Sequence, residues 1–432
     1  MYDEFTKIEK IYGNVFIDDK NIGETYYEFT YNPFKTDEMK ILLVNPPFSI
    51  MVFFNKEIKD IYVKTQFQNT LYTISLNFRL YKYESTLKNT TISCPVKEFN
   101  IERILNKEKD ESYIYLGFYF PLTALTNTED GQIKHSDYGL IRGDYNFETE
   151  EISLKKEDYF VNTGLGKFKI TDEYKFFDLP STELYYWVNV LKRSICSIRL
   201  PFDSDKYERD ILNVLEFVEY IFSLISLLER DRINWTSRYI RIHNHNDNID
   251  KTIETFRWCS PVSKNYYKTR TDFEKRKKTF ELMVHSFEAL SAEERLIILE
   301  LIKNIEIANC SKTIETKLIH LHSCLDFFRK KYNKKSSSFS KDLITLLDEN
   351  QINVSDLILE DVLGSIRNSI KNKSTFKFTQ LRNSYIHEGF DAFEGNYDSV
   401  MRENKIMLSK CERFILNRMG INYTDTVLGI VK

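Results

Sequence analysis

The chain has 432 residues, of which 42% are hydrophobic and 29% charged, with only 13 glycines and 8 prolines. This composition excludes a disordered or collagen-like chain, and the length predicts two or three domains with buried cores. Because 61 Lys and Arg nearly balance 64 Asp and Glu, the net charge of −3 gives no general attraction for nucleic acid, although local basic patches could still bind one.

Three features of the sequence favour a soluble protein of the cytoplasm. Residues 1–5 have neither the basic nor the apolar segment of a secretory signal. The most apolar long stretch, 211–228, is interrupted by Glu216 and Glu219, so we do not expect it to cross a bilayer. The six cysteines show no Cys-x-x-Cys spacing, which favours reduced thiols over disulfides or a zinc site.

The N-terminal part of the chain has the patterns of β-strands. From Tyr72 to Leu80, apolar residues alternate with polar ones, which is the period of a strand with one face in water. Segments 41–54 and 113–120 are apolar on both faces, which indicates more central strands. Gly164-Leu165-Gly166 lacks the rest of a dinucleotide-binding fingerprint and is interpreted as a turn. These patterns predict an antiparallel β-rich region.

A change of period follows in the middle of the chain. Apolar residues spaced three and four apart predict helices over 183–197 and 206–230, and alternation over 235–242 predicts a return strand. We therefore place a domain boundary near residue 265. The two predicted domains are a β-rich one, 1–265, and an all-helical one, 266–432.

In the C-terminal part, the spacing of apolar residues predicts helices throughout. In one segment, apolar residues spaced four and three apart from Ile314 to Phe328 form a single stripe that faces a core. Gly389 and Gly420 stand where helix C-caps are expected. The fold class is thus α+β, an antiparallel β-rich domain followed by a helical bundle. Helices are predicted over 272–290, 292–308, 312–332, 339–349, 355–370, 376–389 and 396–418.

The segment with the clearest chemistry is Leu381-Arg382-Asn383-Ser384-Tyr385-Ile386-His387-Glu388-Gly389, on a short predicted helix. Asn383 and His387 lie four residues apart on one helix face, so the amide could orient the imidazole. Arg382 adds a permanent cation beside a group that titrates near neutral pH, a combination suited to a phosphodiester. The alternative for Arg382 and His387 is a solvated helix end whose charges complement the helix dipole.

This segment resembles the Arg-Asn-x-x-x-His signature of HEPN domains, helical bundles of which many are metal-independent ribonucleases. Arg382, Asn383 and His387 match the signature residue by residue. The resemblance covers roughly residues 270–432. With its β-rich N-terminal region, the chain resembles the ApeA-type abortive-infection proteins of bacteria. The resemblance implies defence against bacteriophage by RNA cleavage, with these three residues as the catalytic set and no metal or other cofactor.

The resemblance also implies a homodimer in which the motif helices of two copies share one site. Positions five apart on a helix differ by ~140° in azimuth, so Arg382 and His387 of one chain converge poorly, and a second copy would supply the convergence. His387 would transfer protons at the ribose 2′-OH or the 5′-oxygen, and Arg382 would stabilise the phosphorane. Asp326, which shares a polar helix face with His322, is a further catalytic candidate, with an exposed ion pair as the alternative.

Two basic segments are candidates for contact with RNA. Lysines and arginines interleaved with aromatic side chains suit single-strand binding, because they combine backbone neutralisation with base stacking. A solvated helix end is the alternative for each segment. The candidate residues are Lys275, Arg276, Lys277 and Lys278 in the first segment, and Arg329, Lys330, Lys334 and Lys335 in the second.

Two further motifs carry no functional prediction. Arg238 and His243 repeat the spacing of Arg382 and His387, but they lie on a predicted strand with no Asn after the arginine. His243 and His245 lack a third ligand nearby, so we expect no metal there.

The predicted function is an endoribonuclease of anti-phage defence that cleaves tRNA or another cellular RNA. We expect the N-terminal domain to recognise a phage-derived trigger and to restrain the nuclease. Two alternatives stay open. One is a non-catalytic module for RNA binding or dimerisation, and the other is a toxin neutralised by a separately encoded partner.

Overall fold

The structure, a computed structural model, describes residues 7–31, 39–47, 61–67, 70–76, 82–85, 89–105, 112–120, 144–146, 151–153, 159–178, 188–244, 249–257, 273–311, 313–332, 339–353, 377–388 and 397–429. Antiparallel strands make up the N-terminal part and helices the C-terminal part. The prediction of an α+β protein in this order is therefore confirmed at the level of fold class.

Antiparallel pairing joins nearly all of the described strands into one large sheet, and only β9 and β10 pair separately. The strands are β1 (Lys7–Ile17), β2 (Lys20–Tyr31), β3 (Lys40–Val44), β4 (Ile61–Phe67), β5 (Thr70–Leu76), β6 (Lys82–Ser85), β7 (Thr90–Leu105), β8 (Tyr113–Phe120), β9 (Asp144–Asn146), β10 (Glu151–Ser153), β11 (Tyr159–Thr163), β12 (Gly166–Asp178), β13 (Val188–Pro201), β14 (Ser237–Asn244) and β15 (Ile249–Arg257).

Six strands close into a ring around an apolar core. The pairing path runs from β7 through β3, β2, β1, β4 and β5, and β5 pairs again with β7. Strand β7 belongs to both ends of the path because its first part pairs with β3 and its later part with β5. Alternate residues point inward, as the period of a strand requires. The buried core includes Val15, Phe29, Leu43, Val63, Ile74 and Phe99.

Six further strands extend the sheet from β7 in the order β15, β14, β8, β13, β12 and β11, and β6 pairs with the first part of β7. Here the prediction of a helix over 183–197 is wrong, because β13 (Val188–Pro201) is a strand between β12 and β8. The apolar spacing fitted either period, and pairing with distant strands on both edges decided the outcome. The Gly164-Leu165-Gly166 turn is confirmed, since it joins β11 to β12.

The helices of the described residues follow the predicted pattern closely. Predicted and observed ends differ by at most two residues in each helix after residue 271 that the structure describes. Gly420 has φ +73° and ends the last helix, as a C-cap glycine does. The predicted helix 355–370 and Gly389 lie outside the described residues. The helices are α1 (Tyr207–Glu229), α2 (Phe273–Ala289), α3 (Ala292–Cys310), α4 (Ile314–Tyr332), α5 (Phe339–Glu349), α6 (Lys377–Glu388) and α7 (Tyr397–Arg418).

Helix α4 is the core helix of the C-terminal bundle. It contacts α3, α5, α6 and α7. The side chains of Leu318, Leu321, Leu325 and Phe328 are fully buried, which confirms that the apolar stripe faces a core. His322 and Asp326 lie on the same helix beside this stripe and are half-buried.

The chain divides into two units, and their limits differ from the predicted boundary at residue 265. One unit comprises Met1–Leu215 and Asn234–Val262, and the other comprises Glu216–Ile233 and Ser263–Lys432. The greater part of α1, from Glu216 onward, thus belongs with the C-terminal helices. Arg230 forms an ion pair with Glu412 of α7, with Nε to Oε1 at 2.7 Å.

By length and composition alone, α1 is long and apolar enough to cross a membrane. Half of its most apolar window is buried inside the protein. Core helices of soluble proteins have this character, so α1 is consistent with a soluble protein.

Candidate functional site

Helix α6 places the Arg-Asn-x-x-x-His segment at the surface of the bundle. Its first turn is anchored by Phe378 and Thr379, whose side chains are buried. Beyond this anchor Arg382 is half-buried and Asn383 is exposed. His387 lies one turn further along α6, and its side chain is outside the part of the chain that the structure describes. The buried first turn thus anchors α6, and Arg382 and Asn383 lie beyond it nearer the surface.

Arg382 and Asn383 contact each other directly. Nη1 of Arg382 donates a hydrogen bond to Oδ1 of Asn383 at 2.9 Å. The carbonyl oxygen of Asn383 thus holds the guanidinium. Orientation of His387 by the same side chain stays a prediction, because the His387 side chain lies outside the described residues. A held guanidinium loses less conformational freedom when it binds an oxyanion, because its planar fork is already oriented.

His322 of α4 lies where α4, α5 and α6 meet. Its ring is stacked on Phe339 of α5, with centroids 4.8 Å apart and planes 10° apart. The ring of Phe378 on α6 meets it edge-on at 5.6 Å. Nε2 of His322 is buried and has no hydrogen-bond partner among the described residues. The imidazole is therefore packed as an aromatic ring between two phenylalanines.

The pKa of His322 depends on its burial and on the charges near it. Burial, together with the positive charge of Arg382 as a smaller cause, lowers its pKa from 6.5 to about 4, and the charge of Asp326 opposes both. His322 is thus neutral at neutral pH. Because electrostatic effects of this kind fall off with distance, Arg382, His322 and Asp326 form one local cluster, which we call the α4–α6 cluster.

Asp326 is paired with two cations on its own helix. Its Oδ1 accepts hydrogen bonds from Arg329 Nε and Nη2 at 3.1 and 3.0 Å, and its Oδ2 lies 2.8 Å from Lys330 Nζ. Burial acts to raise the pKa of this carboxyl, but the hydrogen bonds from Lys330 and Arg329 outweigh it and lower the pKa. Asp326 is therefore an ionised, engaged group, suited to electrostatic support rather than to proton transfer.

Arg329 extends the network to α5. Its Nη1 lies 3.2 Å from Oδ2 of the buried Asp342, and its guanidinium carbon lies 5.8 Å from the centre of the Phe339 ring. Arg329 thus joins Asp326 to Asp342 and borders the ring that covers His322. Sequence reasoning placed His322 and Asp326 on one helix face, but it missed Phe339, Asp342 and Phe378, for which the only signal was their aromatic or acidic type.

The basic residues predicted to contact RNA occupy different environments. The side chain of Arg276 is 3% exposed and its Nη1 lies 3.2 Å from Oε1 of Glu229, so Arg276 belongs to the bundle interior rather than to a surface that RNA could reach. Lys275 and Lys277 are half-buried, while Lys278 is exposed.

The second basic segment is also divided. Arg329 is 12% exposed and committed to two carboxylates, whereas Lys330 is 65% exposed while it pairs with Asp326. Lys334 and Lys335 lie outside the described residues. Of this segment, Lys330 is the described residue best placed to meet a polyanion.

Arg238 and His243 both lie on β14. Arg238 donates from Nε to Oγ1 of Thr255 at 3.1 Å and its guanidinium lies over the Trp235 ring. His243 is fully buried, with its ring 5.5 Å from that of Tyr113. These contacts give both residues structural roles in the sheet. Within the described ranges, no three His, Cys, Asp or Glu side chains group as metal ligands.

The chain matches no family model, no curated protein and no solved structure.

Proposed function

We propose that the C-terminal bundle is a metal-independent endoribonuclease of the HEPN type. The observation that carries the proposal is the hydrogen bond by which Asn383 holds the guanidinium of Arg382, a member of the α4–α6 cluster, at the half-buried edge of the bundle. A fixed cation at such an edge favours an anionic phosphodiester and the greater charge of its transition state. The sequence adds a proton carrier, His387, one turn along the same helix.

The reaction we propose is transesterification within the RNA strand. The ribose 2′-oxygen attacks the adjacent phosphorus while the bond from phosphorus to the 5′-oxygen breaks. The proton of the 2′-OH goes to a base, and a proton is delivered to the leaving 5′-oxygen, with His387 acting in one of these two transfers. Arg382 stabilises the added charge of the phosphorane. The products are a 2′,3′-cyclic phosphate and a 5′-OH end.

Within one chain the described residues supply the cation of this reaction but not two proton carriers. His322 is neutral and buried, and Asp326 is engaged by Arg329 and Lys330. A second copy would bring a second His387 to the site. We therefore propose that the protein acts as a homodimer through the bundle, with α6 at the contact.

Exposed apolar side chains near the motif support this dimer. Ile386 is 49% exposed, and Tyr397 and Met401, one turn apart at the start of α7, are each 46% exposed. Helices α6 and α7 contact each other, so these side chains belong to neighbouring surfaces. Apolar side chains grouped on a surface are typical of protein contacts.

We further propose a cytoplasmic, anti-phage role in which the N-terminal unit recognises a phage-derived trigger and restrains the nuclease. The reason is chemical, because an RNase without restraint would degrade the RNA of its own cell. The substrate class proposed is tRNA or another cellular RNA.

The proposal is tested by incubating the full-length protein with labelled tRNA in excess EDTA. Wild type should cleave, whereas Arg382→Ala and His387→Ala should each lose cleavage by ~100-fold or more, because each removes one chemical role. The matched controls are Arg402→Ala and His285→Ala, which alter exposed residues of α7 and α2 and should cleave like wild type. Equal RNA binding with no cleavage by any variant would instead indicate a non-catalytic module.

A further inference from the structure

His322 occupies a position that links three helices rather than a surface. Its ring lies between Phe339 of α5 and Phe378 of α6, while its backbone belongs to the core helix α4. Phe339 and Phe378 also meet each other, with centroids 6.3 Å apart in an edge-on arrangement. The three rings form one aromatic cluster that seats the start of α6 on the bundle.

The charges around the His322 ring disfavour its protonation. The positive charge of Arg382 on α6 acts to lower the pKa of His322, and on α4 the carboxylate of Asp326 already accepts from Arg329 and pairs with Lys330. On α5, the buried carboxylate of Asp342 pairs with Arg329. A protonated His322 would thus place a second cation beside Arg382 in an apolar contact, with Nε2 lacking an acceptor among the described residues.

We propose that His322 is a positioning residue: its neutral ring seats α6 on α4 and keeps Arg382 in place, and its protonation releases α6. The proposal deepens the ribonuclease function and rests on it, because it assigns the site an intrinsic sensitivity to acid. It makes His322 a residue that acts through Arg382 rather than on RNA.

The direction of the pH effect follows from the folded-state pKa. Because that pKa lies near 4 while the value of a free histidine is 6.5, the folded state disfavours the proton. The stability that the neutral ring provides is fully present above pH 6.5 and is lost as pH falls through 6.5 toward 4. At pH 5 the linkage relation gives about a 30-fold shift toward the state in which α6 is released.

The test uses amide hydrogen exchange of the full-length protein, followed over α6 between pH 7.5 and pH 5 and corrected for intrinsic exchange rates. Wild type should lose protection of α6 by about 30-fold at pH 5. His322→Phe, which keeps a flat ring but cannot be protonated, should retain it. The control His285→Gln replaces an exposed histidine of α2 and should behave like wild type. Equal loss in His322→Phe and wild type, or no loss in wild type, would overturn the proposal.

Cleavage measurements add a second readout. His322→Phe should keep the wild-type rate at pH 7.5 and should stay active at pH 5, where wild type declines. His322→Ala removes the ring and should reduce cleavage at both pH values. If His322→Phe were as inactive as Arg382→Ala at pH 7.5, the positioning role would be wrong, because the ring nitrogens would then be required. Should wild type cleave no RNA, hydrogen exchange still decides the role of His322, so the two proposals fail separately.

Discussion

The guanidinium of Arg382 donates a hydrogen bond to Asn383, the next residue on the same helix. This hydrogen bond restricts the positions that the guanidinium can take. A mobile arginine would have to be ordered in each catalytic cycle, at a cost of about 0.5–1.5 kcal/mol for an immobilised side chain. The hydrogen bond to Asn383 orders the Arg382 side chain before RNA binds. Its part in catalysis is thus expected to be real but smaller than that of Arg382.

Asn383→Ala therefore tests the positioning of the cation. We expect single-turnover cleavage to slow by about tenfold, which corresponds to about 1.4 kcal/mol of transition-state stabilisation, with little change in RNA affinity. Asn383→Asp serves as the control, because its carboxylate can still accept from Arg382 but weakens the local positive charge. An Asn383→Ala variant as fast as wild type would show that the hydrogen bond has no function.

Part of the site follows from the sequence and part does not. Arg382, Asn383 and His387 could be named in advance because they lie within six residues of one helix. The surroundings of His322 could not, since Phe339 and Phe378 are brought to it by the packing of α5 and α6 on α4. The burial of Arg276 could not be predicted for the same reason, because it depends on an ion pair with Glu229, which is distant in the sequence.

At the scale of elements, helices were predicted to within two residues where their apolar stripe met a single core. The residues that cap a helix lie next to it in the sequence, and its apolar period of 3.6 residues differs from the period of two of a strand. The segment around Val188–Pro201 was wrongly predicted as a helix because its identity as a strand depends on β8 and β12. Long-range pairing of this kind leaves no local signal.

The end of α1 is tied to α7 by a buried ion pair. Glu412 is fully buried and accepts from Arg230 Nε and Nη2 at 2.7 and 2.8 Å, and from the hydroxyl of Tyr423 at 3.1 Å. Such a pair holds α1 to the C-terminal helices, whatever its net contribution to stability. A truncation at residue 266 would therefore remove a partner of the bundle core.

Arg230→Ala should destabilise the helical unit by about 3–5 kcal/mol, because it leaves the Glu412 carboxylate buried without its cation. Urea unfolding followed by far-UV circular dichroism measures the change. The double variant Arg230→Met, Glu412→Gln removes both charges and should recover much of the loss. If the single and double variants were equally unstable, the cost would come from packing rather than from the uncompensated charge.

For the whole molecule, the proposed reaction requires two copies of the chain. Ile386→Glu and Met401→Glu each place a charge at a surface we assign to the dimer, so both should yield monomers at concentrations where wild type is dimeric. Multi-angle light scattering after gel filtration measures the mass directly. Leu296→Glu is the control, since Leu296 is 65% exposed on α3 and outside the assigned contact. Dissociation by Leu296→Glu alone would move the interface to α3.

The most direct test of the central claim is the chemistry of the RNA ends that the full-length protein produces in EDTA. The account predicts 2′,3′-cyclic phosphate and 5′-OH ends, which are ligated by an RNA ligase specific for those ends and are absent with Arg382→Ala. Cleavage that yields 3′-OH and 5′-phosphate ends, or that persists unchanged in Arg382→Ala, would contradict a metal-independent site built around Arg382.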